Sequence, residues 1–300
     1  MRSDQVIGVD LGGMAIKFAR FHRDGELLQQ LQIPTPQPAI PGAVTMALCE
    51  GIEQIDPRHH APLVGVGLPG PMDATARVAR TCINLPGWKE VPLADWLESR
   101  LQRRVTLAND GSCAIVGELW RGAAKNLTDV VLLTLGTGVG GGVVLGGKLF
   151  TGYNGAGAEL GLIGIQPDGP SCNSGNRGSL EQFASSTALR RLYDQDPREL
   201  NKRADAGDPD IQAVWEQYGQ NLGIGIASLI YIFTPQCVLV GGGLAAAASH
   251  FLPAVRREVK KRVHTVSREG LRIEACALGN GAGRLGAARL ALQRLTDTSQ

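Results

Sequence analysis

An apolar strand running into a glycine-rich turn occurs twice in this 300-residue chain. The first copy is Val6-Ile7-Gly8-Val9-Asp10-Leu11-Gly12-Gly13, followed by Lys17; the second is Val131-Leu132-Leu133-Thr134-Leu135-Gly136-Thr137-Gly138-Val139-Gly140-Gly141-Gly142. In both, apolar residues resume beyond the glycines, at Ile16 to Phe21 and at Val143 to Leu145, which predicts hairpin turns rather than strand-to-helix turns. Glycine lets backbone N–H groups approach an oxyanion with no Cβ in the way. Two such turns facing each other would hold a chain of phosphates from both sides. The pattern predicts a phosphoryl-transfer enzyme of α/β class, built from two similar α/β domains with a cleft between them.

The order of elements supports the duplication. The first third reads as strands at 6–11, 16–21 and 26–33, a proline-rich connection, a helix at 43–55 and a strand at 63–68. A helix at 93–101, a strand at 105–107 and a helix at 111–120 follow. The middle repeats strand, glycine turn and strand at 130–135 and 142–145, with a short third strand at 148–150. Helices are expected at 181–195, 210–233 and 244–248, strands at 237–240 and 271–275, and a last helix from about 283 to 295. The expected domains are 1–121, completed by the terminal helix 283–300, and 122–282. The boundary near 121–129 is expected to act as a hinge.

Composition excludes several classes. A hydrophobic share of 43% supports a sizeable core, and a net charge of +2 gives no general attraction to nucleic acid. The basic clusters at Arg100 to Arg104 and Arg256 to Arg262 sit in helix-like stretches and read as solvated faces. Aromatics make up only 5%, too few for base stacking. The longest apolar run, Leu222 to Phe233, is too short for a bilayer and reads as a buried helix. The six cysteines are scattered without a C-x-x-C pair, which suits reduced thiols in a cytoplasm. The N-terminus enters a strand at once, so no signal peptide is expected.

The residues around the turns suggest roles. Gly12-Gly13 and Gly138-Val139-Gly140 present amides to phosphates, Lys17 adds positive charge, Thr137 offers a hydroxyl, and Asp10 can hold Mg²⁺ directly or through water. Gly142 to Leu149 nearly fits a Walker A motif but lacks the Ser or Thr at Leu149, and reads as another hairpin turn. Asn109-Asp110 follows a strand end, where a carboxylate faces the crevice at the carboxyl edge of a parallel sheet. Asp110 there can take the proton of an attacking hydroxyl, with Asn109 orienting the same substrate. It can equally be only a helix cap. The five histidines match no motif.

These motifs, with Gly67-Leu68-Pro69-Gly70 and Asp73, Asn84-Leu85-Pro86-Gly87-Trp88 and Gly279-Asn280-Gly281-Ala282-Gly283, occur in the order seen in the ROK family of repressors and sugar kinases. The resemblance covers residues 6 to about 290. It implies the actin-like, ribonuclease-H-like ATPase fold, ATP with Mg²⁺, and a hexose. Asp110 resembles the catalytic base, and Gly70, Asn84 and Asn109 resemble sugar contacts. Glu159 and Glu181 match acids that bind sugar hydroxyls, although two solvated loop acids would look the same. Gly241 and Gly242 lie where the family holds the adenosine. A homodimer is also implied.

The chain departs from the family at its zinc motif. Leu162, Ser174 and Ser179 stand where the family has a His and two Cys, and of that set only Cys172 remains. One thiolate cannot make a four-coordinate site, so no zinc is expected. Leu162 also removes a hydrogen bond to the sugar, worth about 1.5–3 kcal/mol if charge-assisted. Met14 replaces a family Thr beside the phosphates. The resemblance therefore implies a cytoplasmic glucokinase of glycolysis that phosphorylates the 6-hydroxyl. Alternatives are a kinase for fructose or N-acetylmannosamine, a polyphosphate-dependent glucokinase, or a catalytically weak sugar-binding regulatory protein. The family's repressors carry a helix-turn-helix before the first strand, and here the strand starts near residue 6, so DNA binding is not expected.

Overall fold

The computed structural model describes residues 4–82 and 85–297. Strands β1 (Gln5–Leu11), β2 (Ala15–His22) and β3 (Leu27–Pro34) lead into helix α1 (Pro41–Ile55) and strand β4 (Leu63–Leu68). A small hairpin of β5 (Ala79–Thr81) and β6 (Lys89–Val91) precedes α2 (Leu93–Leu101), β7 (Arg104–Asn109) and α3 (Asp110–Arg121). Then come β8 (Val130–Leu135), β9 (Val139–Leu145) and β10 (Lys148–Leu149). Helices α4 (Glu181–Ala184), α5 (Ser186–Tyr193), α6 (Pro197–Asp205) and α7 (Pro209–Phe233) follow. The chain closes with β11 (Cys237–Gly241), α8 (Ala248–Arg262), β12 (Arg272–Ala275) and α9 (Ala282–Asp297).

Packing sorts the described residues into two units, one from 4–82, 85–126, 149–158 and 280–297, the other from 127–148 and 159–279. The first unit holds a sheet of order β3-β2-β1-β4-β7, the second a sheet of order β10-β9-β8-β11-β12. In each, the first strand pairs antiparallel with the second and parallel with the fourth, and the fifth extends the parallel side. The two sheets therefore share one strand order, as the repeated pattern leads one to expect.

Burial follows position in the sheet. Interior strand β4 reads Leu-Val-Gly-Val-Gly-Leu and is buried at every residue, as expected for a parallel strand covered on both faces. Edge strand β3 carries glutamines and is mostly exposed. In the first unit, α9 lies against β1 and β4 with unusual closeness. A Cβ at Gly8 would overlap the Arg284 carbonyl, and one at Gly65 would overlap that of Ala287. The two glycines let a helix backbone rest directly on the sheet.

Several local expectations change. The stretch 181–195 is two helices, because Ser185 adopts an extended backbone (φ −107°, ψ 165°) and its hydroxyl accepts the Ala188 amide. Helix α6, where the sequence carries no helical apolar period, has a mostly charged face; it starts from an Asp196 cap with Pro197 in its first turn. The stretch expected as a helix at 244–248 is a 3₁₀ turn, Gly243–Ala247, that runs into α8. Residues 146–147 turn between β9 and β10 with positive φ at both glycines (55° and 75°), the hairpin expected in place of a Walker A loop. The apolar run from 222 to 233 is the second half of α7, but Tyr231 and Ile232 are exposed. Among the described residues, no helix is long and apolar enough to cross a membrane.

A buried charge cluster ties the first unit together at the end of α1. Asp56, fully buried, accepts from Arg103 Nη1 (2.7 Å), Arg20 Nη1 (3.2 Å) and the amides of Ala61 (2.9 Å) and His60 (3.0 Å). Burial alone would raise its pKa; the two amides and Arg103 outweigh that and hold it below the ordinary aspartate value. Removing one partner strands the others, so Asp56→Ala is expected to lower the unfolding free energy by about 3–5 kcal/mol. A depressed carboxyl pKa stabilises the fold above the unfolded value and loses that effect as pH falls through the folded one. In denaturant titrations, the gap between wild type and Asp56→Ala should be full above about pH 5 and shrink below about pH 4. A gap unchanged down to pH 2 would contradict this assignment.

Candidate active site

The first unit presents Asp10 and the turn beyond it. Asp10 stands opposite Lys17 in the β1–β2 register, and Lys17 Nζ donates to its Oδ2 at 3.3 Å. The turn is held from outside: the Thr35 hydroxyl donates to the Gly12 carbonyl (2.6 Å), and Gln37 Nε2 to that of Gly13 (3.2 Å). The Gly12 amide is spent on Ala15 O (3.0 Å). The amides of Gly13 and Met14 have no acceptor among the described residues. These two are therefore the N–H groups that an oxyanion can use, not Gly12. The Met14 side chain is 89% exposed, so its replacement of a hydroxyl leaves the backbone donor in place.

The same unit carries Asp110 at the end of β7. Asn109 caps α3: its Oδ1 accepts the amides of Gly111 (2.9 Å) and Ser112 (3.3 Å), while its Nδ2 donates to Gly70 O (3.2 Å). One amide hydrogen of Asn109 remains after these bonds. Gly70 has φ +93°, and a Cβ there would overlap the Thr81 carbonyl, so only glycine fits this turn. Asp110 is the first helical residue, exposed, with Oδ1 accepting the Gly111 amide at 2.8 Å. The cap is thus Asn109, and the Asp110 carboxylate lies at the helix N-terminus, which favours negative charge. Two thiols stand near it. Burial and then the Asp110 charge push Cys82 up to about 12, and burial, Asp10 and Asp110 raise Cys113 as well. Both are neutral neighbours. Asn84 lies outside the described residues.

In the second unit the glycine turn is braced by its surroundings. Gly136 N–H bonds Gly138 O (2.9 Å), Ser186 N–H bonds Gly136 O (2.8 Å), and the Thr187 hydroxyl donates to Thr137 O (2.7 Å). The Val139 amide is taken by Glu181 Oε2 at 3.0 Å, and Gly140 lies in the β8–β9 ladder. The open amides are those of Thr137 and Gly138; those of Val139 and Gly140, also expected to be free, are taken. Gly242, with φ +83°, packs on the Leu135 carbonyl that leads into this turn, and Gly241 pairs with Thr134.

Glu181 holds the Val139 amide, and Glu159 lies in the segment that packs on the Val139 carbonyl. Glu159 precedes a 3₁₀ turn, Leu160–Leu162, whose Gly161 packs on the Val139 carbonyl. Although its surface is open to solvent, enough protein surrounds Glu159 that desolvation, and then the Glu181 charge, raise its pKa. Glu181 opens α4.

The positions that match a metal motif form a hydrogen-bonded loop. The Ser174 hydroxyl donates to Cys172 Sγ (3.3 Å), Cys172 N–H bonds Asn176 O (2.8 Å), and Asn176 Nδ2 reaches Leu162 O (3.3 Å). Burial acts to raise the Cys172 pKa, but the Ser174 hydroxyl and amide lower it overall. Among the described residues, no group of three or more His, Cys, Asp or Glu side chains is placed to hold a metal.

Sequence reasoning missed the braces, Thr35, Gln37 and Thr187, because a hydroxyl or amide in a loop carries no pattern. It also missed Arg284, near Asp10 in the first turn of α9, since one arginine in a helix reads as solvated.

Two units of one strand order, each with a glycine hairpin turn, define the actin-like, ribonuclease-H-like fold. The chain belongs to the ROK family, whose model matches residues 6–294. A glucokinase of Thermotoga maritima is 34% identical, with 97% of this chain and 98% of that protein covered. The crystal structure of a ROK hexokinase from Thermus thermophilus is 36% identical, covers 98% of this chain and 99% of its own, and superposes with a TM-score of 0.84. A ROK family glucokinase from Streptomyces griseus, in complex with glucose and AMPPNP, is 30% identical with a TM-score of 0.85, covering 96% and 99%.

A Cβ at Gly138 would collide with Glu181 Oε2, the oxygen that holds the Val139 amide. Gly138→Ala is therefore expected to lower the Tm, and Glu181→Ala to relieve part of that loss. Residues in contact couple by about 0.5–3 kcal/mol in such cycles. Strict additivity of the two substitutions would refute the contact.

Proposed function

We propose that this protein is an ATP-dependent glucokinase in which Asp110 is the general base. The observation that carries the reading is the Asp110 carboxylate, exposed at the N-terminus of α3 and backed by the Asn109 cap, in a chain whose relatives over nearly the full length include glucokinases. The sugar's 6-hydroxyl gives its proton to Asp110 as its oxygen attacks the γ-phosphorus. The bond from phosphorus to the β,γ-bridging oxygen breaks, and ADP leaves with the electron pair. A positioned base of this kind contributes about 10²–10⁴-fold.

The remaining residues take supporting roles. Lys17 and the amides of Gly13, Met14, Thr137 and Gly138 offer donors for phosphate oxygens, and Gly241-Gly242 makes room for the adenosine. Gly70, Asn84, Asn109, Glu159 and Glu181 are the proposed sugar contacts; Glu181 has one carboxylate oxygen left after Val139. Asp10 is a hard oxygen donor that suits Mg²⁺, with one oxygen already bonded to Lys17. Magnesium, when bound, neutralises charge on the phosphates. Zinc does not fit the residues present, since one thiolate, two hydroxyls and an alkyl chain make no structural site.

Three measurements test the reading. Purified protein is expected to phosphorylate glucose with ATP when assayed beside mannose, fructose, N-acetylhexosamines, GTP and polyphosphate; failure with every pair would end the kinase reading. Asp110→Asn should lose about 10²–10⁴-fold in kcat while still binding glucose by calorimetry. Metal analysis should find zinc well below one per chain.

The raised pKa of Glu159 gives a pH test. As pH falls through that value, the charged acceptor is lost, so glucose affinity should decline at a higher pH than an ordinary glutamate, near 4.3, would set. Glu159→Gln should bind more weakly but without this decline. The same acid decline in Glu159→Gln would assign it to another group.

A further inference from the structure

We propose that Arg284 binds the donor, its guanidinium receiving oxygens of the donor's phosphate chain beside Asp10. This deepens the kinase reading and rests on it. Arg284 lies in the first turn of α9, where its carbonyl packs on Gly8 of β1. The preceding residue, Gly283, stands against Asp10, whose Cγ would be 3.3 Å from a Cβ there. The backbone of Arg284 is thus pinned next to the strand that carries Asp10.

Its side chain is half-buried, and Nε is fully enclosed without a partner. Among the described residues, no acceptor lies within hydrogen-bond or ion-pair distance of its terminal nitrogens. Arg20, Arg23 and Arg103 also leave Nε unpartnered, but Arg23 sits at the opposite end of β1 from Asp10, and Arg20 and Arg103 spend their terminal nitrogens on Asp56, Gln29 and backbone carbonyls. Arg284 does not. An arginine in a protein stays charged, and burial works against its cation while the field of Asp10 favours it.

The simpler role would be counter-charge for Asp10. Lys17 already fills it, bonded to Asp10 Oδ2 at 3.3 Å, whereas Arg284 stays beyond ion-pair distance. Two cations near one carboxylate leave an excess positive charge at the end of β1, the strand that leads into the turn with the open amides of Gly13 and Met14. A planar fork with its terminal nitrogens unpaired suits an anion with paired oxygens, and phosphate is such an anion. The chemistry recognised is the phosphate chain, whether it ends in a nucleoside or not.

The test uses Arg284→Met, which keeps the stem, and Arg284→Lys, which keeps a charge without the fork. Calorimetry would measure AMPPNP with Mg²⁺, tripolyphosphate with Mg²⁺, and glucose on each. Arg284→Met is expected to weaken both phosphate ligands about tenfold or more, Arg284→Lys to recover part, and glucose binding to stay unchanged. In turnover, the KM for ATP should rise and that for glucose should not. Unchanged binding of both phosphate ligands would overturn the proposal, as would weakening of AMPPNP alone, which would assign the arginine to the nucleoside. If Arg284→Met fails to fold, Arg284→Lys decides, since equal affinity to wild type overturns it. The binding arms need no turnover. A wild type that binds AMPPNP through Arg284 yet phosphorylates no sugar would fail as a kinase and keep the site.

Discussion

The first unit depends on a helix backbone lying directly against a sheet backbone. Gly8 and Gly65 receive the carbonyls of Arg284 and Ala287, and Gly286 and Gly117 let α9 meet α3 at Cys113 and Ala282 equally closely. Any side chain at these positions would lift the helix by more than a core can absorb, since interiors are close-packed. Seated this way, the last helix of the chain fixes two things at once. It brings Gly283 against Asp10, and it supports α3, whose first residue is Asp110. Both carboxylates are thus referenced to the same rigid body, although they lie 100 residues apart in sequence. Dispersed electrostatics cannot supply such positional control; a backbone contact can.

Most of this architecture is legible in the sequence, and the exceptions have physical causes. The two glycine hairpins, the parallel strands and the long helices announce themselves through apolar period and turn chemistry, and the shared strand order follows from their repetition. Helix α6 does not, because only Leu200 and Ala204 of its interior are buried and an amphipathic period needs more. The break at Ser185 is invisible because a serine inside an apolar period looks tolerated until its hydroxyl is seen capping α5. At the candidate site, the position of the glycine turns is legible in the sequence and the hydrogen bonds made there are not. Which amide of a glycine turn remains open is decided by what else reaches it, and here Ala15, Glu181 and a ladder strand claim three of those expected to be free.

Glu181 shows why that accounting matters. Read alone, it is a loop acid suited to sugar hydroxyls. In the folded unit it also holds the Val139 amide, which sets the conformation of the Gly136–Val139 turn. A single carboxylate then links the proposed acceptor-binding residues to the proposed phosphate-binding turn, with Glu159 close enough to feel its charge. A buried amide needs an acceptor, and leaving it unmade costs about 1–3 kcal/mol. Loss of Glu181 would therefore disturb donor and acceptor together, unlike loss of an acid that touches sugar alone.

The loop that carries Cys172 makes a related point about what closes a turn. Three of the four positions that match a metal motif are serine or leucine, yet the segment still folds back on itself: Asn176 reaches the Leu162 carbonyl, and Ser174 caps the Cys172 sulfur. Each such bond contributes about 0.5–1.5 kcal/mol net, so a few of them offset only part of the ~10 kcal/mol or more that a structural metal supplies. Gly161 packed on Val139 and the buried Leu180 add apolar contact to the same segment. The segment is thus held by distributed contacts rather than by one strong centre. Distributed contacts let a loop open locally at lower cost than a chelated one, and Glu159 and Glu181, at its two ends, are the residues that such opening would move.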